Sequence, residues 1–218
     1  MAQIFGPTSN IYSKLSIVAA VLLAGSGVLL VMAFERSPYK TNENMVYPQP
    51  IKFSHDHHVA GLGLDCRYCH HTVERSAVAT IPATEVCMNC HSQIWADSPM
   101  LEPVRASYRD NKPILWNKVY DLPDYVYFDH SIHVSKGVAC FSCHGNVNEM
   151  PLTKRAVSLQ MSWCLDCHRD PTKNLRPASE VTNFRWQPPH DDSYYAHLAE
   201  QVDLASKERL FSCSTCHR

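Results

Sequence analysis

The chain has 218 residues, with 20 Lys and Arg against 21 Asp and Glu and a net charge of -1. This length fits one domain with appendages. The balanced charge provides no basic face to neutralise a phosphate backbone, so a nucleic-acid partner is excluded. The unusual residues are Cys and His, which number 10 and 13, whereas Gly numbers only 7. Cysteine and histidine are therefore expected to carry the chemistry.

An uncharged apolar run of twenty residues covers positions 15–34. As a helix it is long enough to cross a hydrocarbon core about 30 Å thick. The apolar region of a secretory signal peptide is only about 7 to 15 residues long, so the pattern favours a retained transmembrane anchor. Residues 1–14 are then predicted to be a cytoplasmic N-terminus. The polar stretch 35–50, which contains prolines, is predicted to be a linker.

All ten cysteines fall into five copies of the pattern C-x-x-C-H. The cysteine pairs are Cys66 and Cys69, Cys87 and Cys90, Cys140 and Cys143, Cys164 and Cys167, and Cys213 and Cys216. The histidines that follow them are His70, His91, His144, His168 and His217. Two thiols at this spacing reach the two vinyl groups of one haem, and the next histidine is placed to bind the iron. The sequence thus predicts five covalently attached c-type haems.

Zinc ribbons and thioredoxin-like redox pairs also contain C-x-x-C. Zinc needs four ligands from paired knuckles, and a thioredoxin pair needs a βαβ frame. Neither explains a histidine after every second cysteine. Cytochromes of this type are matured on the outer side of the energy-coupling membrane, and thioether attachment removes every thiol from an oxidising space. We therefore expect a single-pass protein of the cytoplasmic membrane with its haem domain on the periplasmic side.

The chain repeats itself with an offset of 75 residues. The matching stretches are Phe53-Ser54-His55-Asp56-His57-His58 with Gly63, and Phe128-Asp129-His130-Ser131-Ile132-His133 with Gly137. The repeat predicts two dihaem modules, 51–125 and 126–180, followed by a C-terminal fifth-haem segment, 181–218. Because only about 170 residues must enclose five haems, we expect mostly irregular structure with short α-helices.

The shared F-x-H-x-x-H element resembles the ligand element of class III multihaem cytochromes. The resemblance implies that His55 and His130 are the distal ligands of the first and third haems, and that His58 and His133 bind neighbouring haems. Eight histidines outside the motifs are available for five open positions. Every iron can therefore be six-coordinate, which predicts electron transfer and not haem catalysis.

The fifth distal ligand has several candidates. His71 follows His70 directly, so it cannot bind the same iron but could reach the second haem. Residues 191–210 are predicted to form one amphipathic helix with His197 on its inward face. Met150 and Met161 could also bind one iron. The remaining histidines, His57 and His190, are expected to be solvated.

One N-terminal anchor, five C-x-x-C-H motifs and two F-x-H-x-x-H modules in this order closely resemble the ActA family of pentahaem subunits of alternative complex III. The stretches that carry the resemblance are Ile51-Lys52-Phe53-Ser54-His55, Cys87-Met88-Asn89-Cys90-His91, residues 121–128 and Met161-Ser162-Trp163-Cys164. The resemblance implies an electron-transfer subunit that is not itself an enzyme. Its partners would be an iron-sulfur, molybdopterin-like subunit, integral membrane subunits, and a monohaem cytochrome c or terminal oxidase that accepts the electrons.

Membrane-anchored quinol dehydrogenases of the NapC and NrfH type are the alternative, because they also join one helix to four or five haems. Their first attachment motif lies soon after the helix, whereas here 31 residues separate Phe34 from Cys66. A haem enzyme such as a nitrite reductase is a weaker interpretation. No motif has its histidine replaced to leave a reactive iron.

Overall fold

The computed structural model describes residues 4–187, 189 and 191–217. The chain forms two compact units, Met1–Asn42 and Glu43–Arg218. The division falls inside the linker that the sequence predicts at 35–50. All three segments predicted to bind haem, 51–125, 126–180 and 181–218, therefore belong to one compact unit.

The first unit is built on one long helix. Helix α1, Ser9–Glu35, has 27 residues, none of them buried, and its most apolar window has a mean hydropathy of 2.6. At 1.5 Å per residue it is about 40 Å long. The helix includes the whole apolar run predicted at 15–34. By length and composition it could cross a membrane, as an anchor or as a signal sequence. A short helix α2, Pro38–Thr41, follows it.

The second unit consists of short helices joined by irregular segments. The α-helices are α3 (Cys66–Cys69), α4 (Thr84–His91), α5 (Glu102–Asp110), α6 (His130–Ser135), α7 (Cys140–His144), α8 (Met161–Arg169), α9 (Asp192–Gln201), α10 (Lys207–Leu210) and α11 (Cys213–Cys216). One turn of π-helix covers Asp56–Gly61, and short 3₁₀ turns cover Pro99–Leu101, Val147–Glu149, Pro171–Asn174 and Ala178–Glu180. Among the described residues, β structure is limited to three isolated antiparallel bridges. The predicted fold class, irregular with short helices and one N-terminal apolar helix, is confirmed.

The apolar core of the second unit is small. The buried hydrophobic residues in the described part of the chain are Ile51, Val104, Ala139, Met150, Leu175, Val181 and Leu198. None of the ten cysteines forms a disulfide, so no such bond reinforces the fold. A core of this size is small for a unit of residues 43–218, because domains of that length normally bury most of the surface that the unfolded chain exposes. Bound cofactors are therefore expected to complete the core.

The predicted helix at 191–210 is wrong in one respect, because the structure divides it into α9 and α10. Asp203 adopts a left-handed conformation with φ of 47°. The Lys136 ammonium donates hydrogen bonds to the carbonyls of Val202 at 2.6 Å and Asp203 at 2.9 Å. These bonds satisfy carbonyls that lack an intrahelical partner at the end of α9. A tertiary contact from a distant lysine thus ends a helix that the amphipathic pattern continues.

The internal repeat is visible in the backbone. In each half a helical turn is followed by a glycine with positive φ, Gly63 at 71° and Gly137 at 80°. Both positions favour glycine, since other residues rarely adopt this conformation. At Gly137 a Cβ atom would also lie 2.1 Å from the carbonyl oxygen of Arg176. The two turns lead into α3 and α7, which begin at the first cysteines of the first and third motifs.

Candidate haem-binding sites

Each C-x-x-C pair lies on one turn of helix. The five helices concerned are α3, α4, α7, α8 and α11. Residues three apart in a helix lie on the same face, so the two thiols of each motif point to the same side. The following histidine stands in the last turn or directly after it. This local geometry is the one that two-point attachment to the edge of a haem requires.

Three motif histidines lie opposite a histidine from outside the motifs. The facing pairs, with the separation of their ring centroids, are His58 and His91 at 6.1 Å, His130 and His144 at 6.4 Å, and His133 and His168 at 6.2 Å. The planes of the second and third pairs are inclined by only 17° and 29°. The F-x-H-x-x-H elements therefore supply one ring to each of three motifs.

These separations can be compared with those of two imidazoles that share one metal ion. A metal–imidazole bond is about 2.0 Å long and the ring centre lies about 1.2 Å beyond the bonding nitrogen, which places the two ring centres about 6.4 Å apart. The three observed values, 6.1, 6.2 and 6.4 Å, all lie close to that separation. The residues present fit an iron held between two imidazoles at each of these sites.

Seven of the histidine rings predicted to bind iron are held by a hydrogen bond at Nδ1. The oxygens within 2.6–3.1 Å of Nδ1 are the main-chain carbonyls of Ser54 (for His58), Thr80 (His70), Ile94 (His91), Ala77 (His130), Asp129 (His133), Leu210 (His168) and Tyr125 (His217). A carbonyl can only accept, so Nδ1 must carry the proton. Nε2 then carries the lone pair that binds a metal.

Two hydrogen bonds at histidine rings connect the two repeats. His130, in the second repeat, donates to the carbonyl of Ala77 in the first at 2.9 Å. His55, in the first repeat, lies 3.0 Å from the hydroxyl of Thr153 in the second. One histidine ring of each repeat is therefore oriented by a hydrogen bond to the other repeat.

The phenylalanine of the F-x-H-x-x-H element packs against both of its histidines. Phe53 stacks on His58 with centroids 4.4 Å apart and meets His55 edge to face at 4.9 Å. Phe128 repeats the arrangement, at 4.5 Å from His133 and 4.8 Å from His130. A ring between two imidazoles restricts the side-chain rotamers of both. This contact explains why phenylalanine stands at the same position in both repeats.

His55 and His70 lie close enough to interact electrostatically. Burial, followed by the neighbouring rings of His70 and His58, lowers the pKa of His55 to about 4. Burial and the rings of His130, His70 and His55 likewise lower the pKa of His144 to about 4. The histidines predicted for the first and third motifs thus form one cluster, in which burial favours the neutral rings of His55 and His144. Neutral imidazole is the form that binds a metal.

The fifth motif is held at its histidine by the segment before the second repeat. The ring of His217 stacks on Tyr125 at 5.9 Å, and its main chain forms a bridge with Val126. The two predicted candidates for the fifth distal ligand, His71 and His197, are both exposed. Nε2 of His197 lies 3.0 Å from the amide nitrogen of Gln201, and the residue of α9 that is buried is Leu198.

The remaining candidate ligands differ in burial. Met150 is buried at 8% exposure, and its methyl group lies near Gly145, directly after His144. Met161 is 65% exposed at the start of α8. His57 is exposed and stacks on Trp95 at 5.9 Å. His190 lies outside the described residues.

The thiols show which motifs are neighbours in space. Burial and then the neighbouring Cys69 raise the pKa of Cys87. The thiols of Cys66 and Cys140 lie close enough for each to shift the pKa of the other. Burial and then the thiols of Cys167 and Cys164 raise the pKa of Cys143 to about 12, and burial followed by Cys216 raises that of Cys164. The motifs therefore form a row in the order second, first, third, fourth and fifth.

Tyr120 is a site residue that the sequence patterns did not single out. Its ring packs against His144 with centroids 4.4 Å apart. Its hydroxyl donates to the carbonyl of Cys143 at 3.2 Å and accepts from the amide of Ala156 at 2.8 Å. Burial raises the pKa of Tyr120, so the hydroxyl stays protonated at neutral pH. Tyr120 directly precedes the stretch 121–128. The sequence offers only a family resemblance for that stretch, and no repeat.

Asp65 stabilises the first attachment helix and gives a pH-dependent prediction. Its carboxylate accepts from the Arg67 side chain at 2.9 Å and amide at 2.8 Å, and from the Thr182 hydroxyl at 2.8 Å. The Arg67 side chain, with these other donors, lowers the pKa of Asp65 from 3.8 to about 2. A depressed folded-state pKa means that the charged form stabilises the fold above pH 3.8 and that this contribution is lost towards pH 2.

We expect Asp65→Asn to lower the melting temperature at pH 7, because the ion pair with Arg67 is lost. The side chain is 45% exposed, so solvent screening limits the loss to about 1 kcal/mol or less. The difference from the wild type should shrink as the pH falls from 4 towards 2, which thermal unfolding followed by circular dichroism measures. The matched control is Asp166→Asn. Asp166 forms an ion pair with Arg169, and its carboxylate side chain is 70% exposed. An equal loss at pH 2 and pH 7 would contradict the interpretation.

Helical C-x-x-C pairs followed by histidine, imidazole pairs at iron-binding separation and a small apolar core together define a multihaem c-type cytochrome. A family model described as cytochrome c7 and related cytochrome c matches residues 51–104 and 126–218. The chain belongs to this family, and covalently bound c-type haems are the cofactors that membership implies. The multiheme cytochrome c subunit of menaquinone reductase from Nitratidesulfovibrio vulgaris is 35% identical over 203 residues, which are 91% of this chain and 80% of that protein.

Proposed function

We propose that the chain is an electron-transfer subunit that carries five haems, one on each C-x-x-C-H motif. The observation that carries the proposal is the set of three imidazole pairs with centroids 6.1–6.4 Å apart. Bound haem supplies one-electron redox chemistry. The histidine of each motif and a second histidine from outside it would hold each iron. Two histidines on every iron would leave no position for a substrate.

The ring contacts and the electrostatic neighbours described above support one pairing of ligands. We propose His55 with His70, His58 with His91, His130 with His144, and His133 with His168, as ligands of the first, second, third and fourth haems. His217 is the proximal ligand of the fifth. Its distal partner is His71 or His197, with Met150 and Met161 as further candidates for one iron. The row of motifs then has the second motif at one end and the fifth at the other.

We place the subunit in a membrane complex that exchanges electrons with the quinone pool. The apolar helix α1 would anchor it in the cytoplasmic membrane with residues 35–50 as a linker and the haem unit on the periplasmic side. The ActA-like pattern supports alternative complex III in particular. In that setting the chain takes electrons from an iron-sulfur subunit and passes them to a monohaem cytochrome c or terminal oxidase.

A second setting is favoured by the relative from Nitratidesulfovibrio vulgaris, which is a subunit of a menaquinone reductase. There the net reaction is reduction of menaquinone, so electrons would cross the row of motifs towards the membrane. The two settings share the same ligands and differ in the direction of electron flow and in the partner that supplies or accepts electrons.

The test is to purify the chain with its natural partners from membranes and to determine the composition by mass spectrometry. Menaquinol oxidation coupled to reduction of a soluble cytochrome c supports the alternative complex III setting. Menaquinone reduction by a reduced cytochrome supports the reductase setting. The isolated subunit is the control. Quinol oxidation by that subunit alone would contradict both settings and favour a quinol dehydrogenase of the NapC and NrfH type.

A further inference from the structure

Arg176 is a buried cation beside the third motif. It is 4% exposed, and its guanidinium lies between two aromatic rings, with centroids 4.5 Å away at Phe141 and 4.6 Å away at Trp186. Phe141 stands between the two cysteines of the third motif. A guanidinium held between aromatic faces is favoured by their negative electrostatic potential.

The guanidinium of Arg176 makes no direct ion pair in the described part of the chain, although the Glu180 carboxylate is near enough to interact with it electrostatically. Nη1 donates to the carbonyls of Glu180 at 3.2 Å and Asn183 at 2.9 Å. Nε is buried and has no hydrogen-bond partner among the described residues, and no ion pair with Arg176 occurs in that part of the chain. Burial lowers the pKa of Arg176, but arginine does not lose its proton in proteins. A full positive charge therefore stays in a poorly solvated site.

Backbone contacts fix this charge next to Cys140. The amide of Arg176 donates to the carbonyl of Gly137 at 2.9 Å, and the amide of Cys140 donates to the carbonyl of Val181 at 3.1 Å. The Cys140 thiol is near enough to Arg176 for the two groups to interact electrostatically. Any haem attached through Cys140 would therefore have its edge close to the guanidinium.

We propose that Arg176 raises the reduction potential of the haem attached at Cys140 and Cys143. The inference rests on the proposed function, because it requires a haem at the third motif. One electron from a donor protein adds one negative charge, and no bond or proton changes. The fixed positive charge stabilises the reduced form over the oxidised form, and the low local dielectric strengthens the effect. The third motif stands in the middle of the row, so an electron that crosses the whole row passes the haem beside Arg176.

The test is a potentiometric titration of the purified full-length protein, monitored by absorption and electron paramagnetic resonance. Arg176→Met should lower one of the five midpoint potentials by at least about 59 mV, which is a tenfold change in a one-electron equilibrium constant. Arg176→Lys, which keeps the charge, should retain most of the potential. Arg185→Met is the matched control, since Arg185 is exposed and adjoins Trp186, and it should shift nothing comparable.

Haem content, determined by mass spectrometry of the denatured protein, is measured for every variant. If Arg176→Met does not take up five haems, Trp186→Leu replaces it: opening one face of the guanidinium to water should lower the same potential by less and make it dependent on salt. The inference is overturned if Arg176→Met with its full haem content has unchanged potentials, or if Arg185→Met shows an equal shift. Either result leaves the proposed function intact. A wild-type chain without haem overturns the proposed function and the inference with it.

Discussion

Replacing His58 with alanine is expected to convert one haem of the five from low spin to high spin. The ring of His58 lies 6.1 Å from that of His91, and Phe53 and the Ser54 carbonyl hold it there. Without it, water or an empty site replaces the imidazole on one iron. The oxidised protein should show a new high-spin signal in electron paramagnetic resonance. The reduced protein should bind carbon monoxide at one haem.

His57→Ala is the control for this prediction because His57 is the adjacent residue in the same helical turn. It is exposed and stacks on Trp95, so its loss should leave all irons low spin. His133→Ala should reproduce the effect of His58→Ala at the fourth motif, where its ring lies 6.2 Å from His168. A His58→Ala protein with only low-spin haem, or a high-spin signal in His57→Ala, would show that the ligand assignment is wrong.

Preventing haem attachment is expected to abolish the cooperative folding of residues 43–218. The described residues of this unit bury only seven hydrophobic side chains and contain no disulfide. Such a core cannot offset the conformational entropy lost by a chain of this length. Replacing all ten cysteines with serine should give a protein that unfolds without a sigmoidal thermal transition and is rapidly digested by protease.

The wild-type chain, expressed with and without the cellular haem-attachment machinery, is the control that avoids substitutions. The form with haem should unfold cooperatively and resist protease, and the form without haem should behave like the cysteine-free variant. A cooperative transition of similar midpoint in the haem-free protein would mean that the polypeptide folds by itself. The haems would then contribute little to the stability of the fold.

The attachment motifs and the repeated F-x-H-x-x-H element could be predicted from the sequence, because each is defined by the spacing of a few neighbouring residues. C-x-x-C-H needs only one turn of helix, and F-x-H-x-x-H places two rings on one turn of chain. In each repeat the element precedes an attachment motif, and Gly63 and Gly137 have the same backbone conformation. The fold class followed from the number of attachment motifs, because several haems in a chain of this length leave little of it for regular structure.

Long-range contacts were not accessible in this way. No pattern indicates that Lys136 ends α9, that Tyr120 packs on His144, or that Arg176 lies between two aromatic rings. The inward orientation of His197 was predicted from one continuous helix over residues 191–210. The structure divides this helix into α9 and α10, and His197 is exposed on α9. The spatial order of the motifs also differs from their order in the chain, because the Cys66 and Cys140 thiols meet across the two repeats.

The most direct test of the account is the mass of the denatured, purified polypeptide. Ten cysteines in five motifs predict an increment of five haem groups that survives denaturation, since thioether bonds are covalent. Replacing both cysteines of any one motif should remove one increment and leave four. A polypeptide of unmodified mass, or one that releases zinc in place of retaining haem, would contradict the assignment of every site described above.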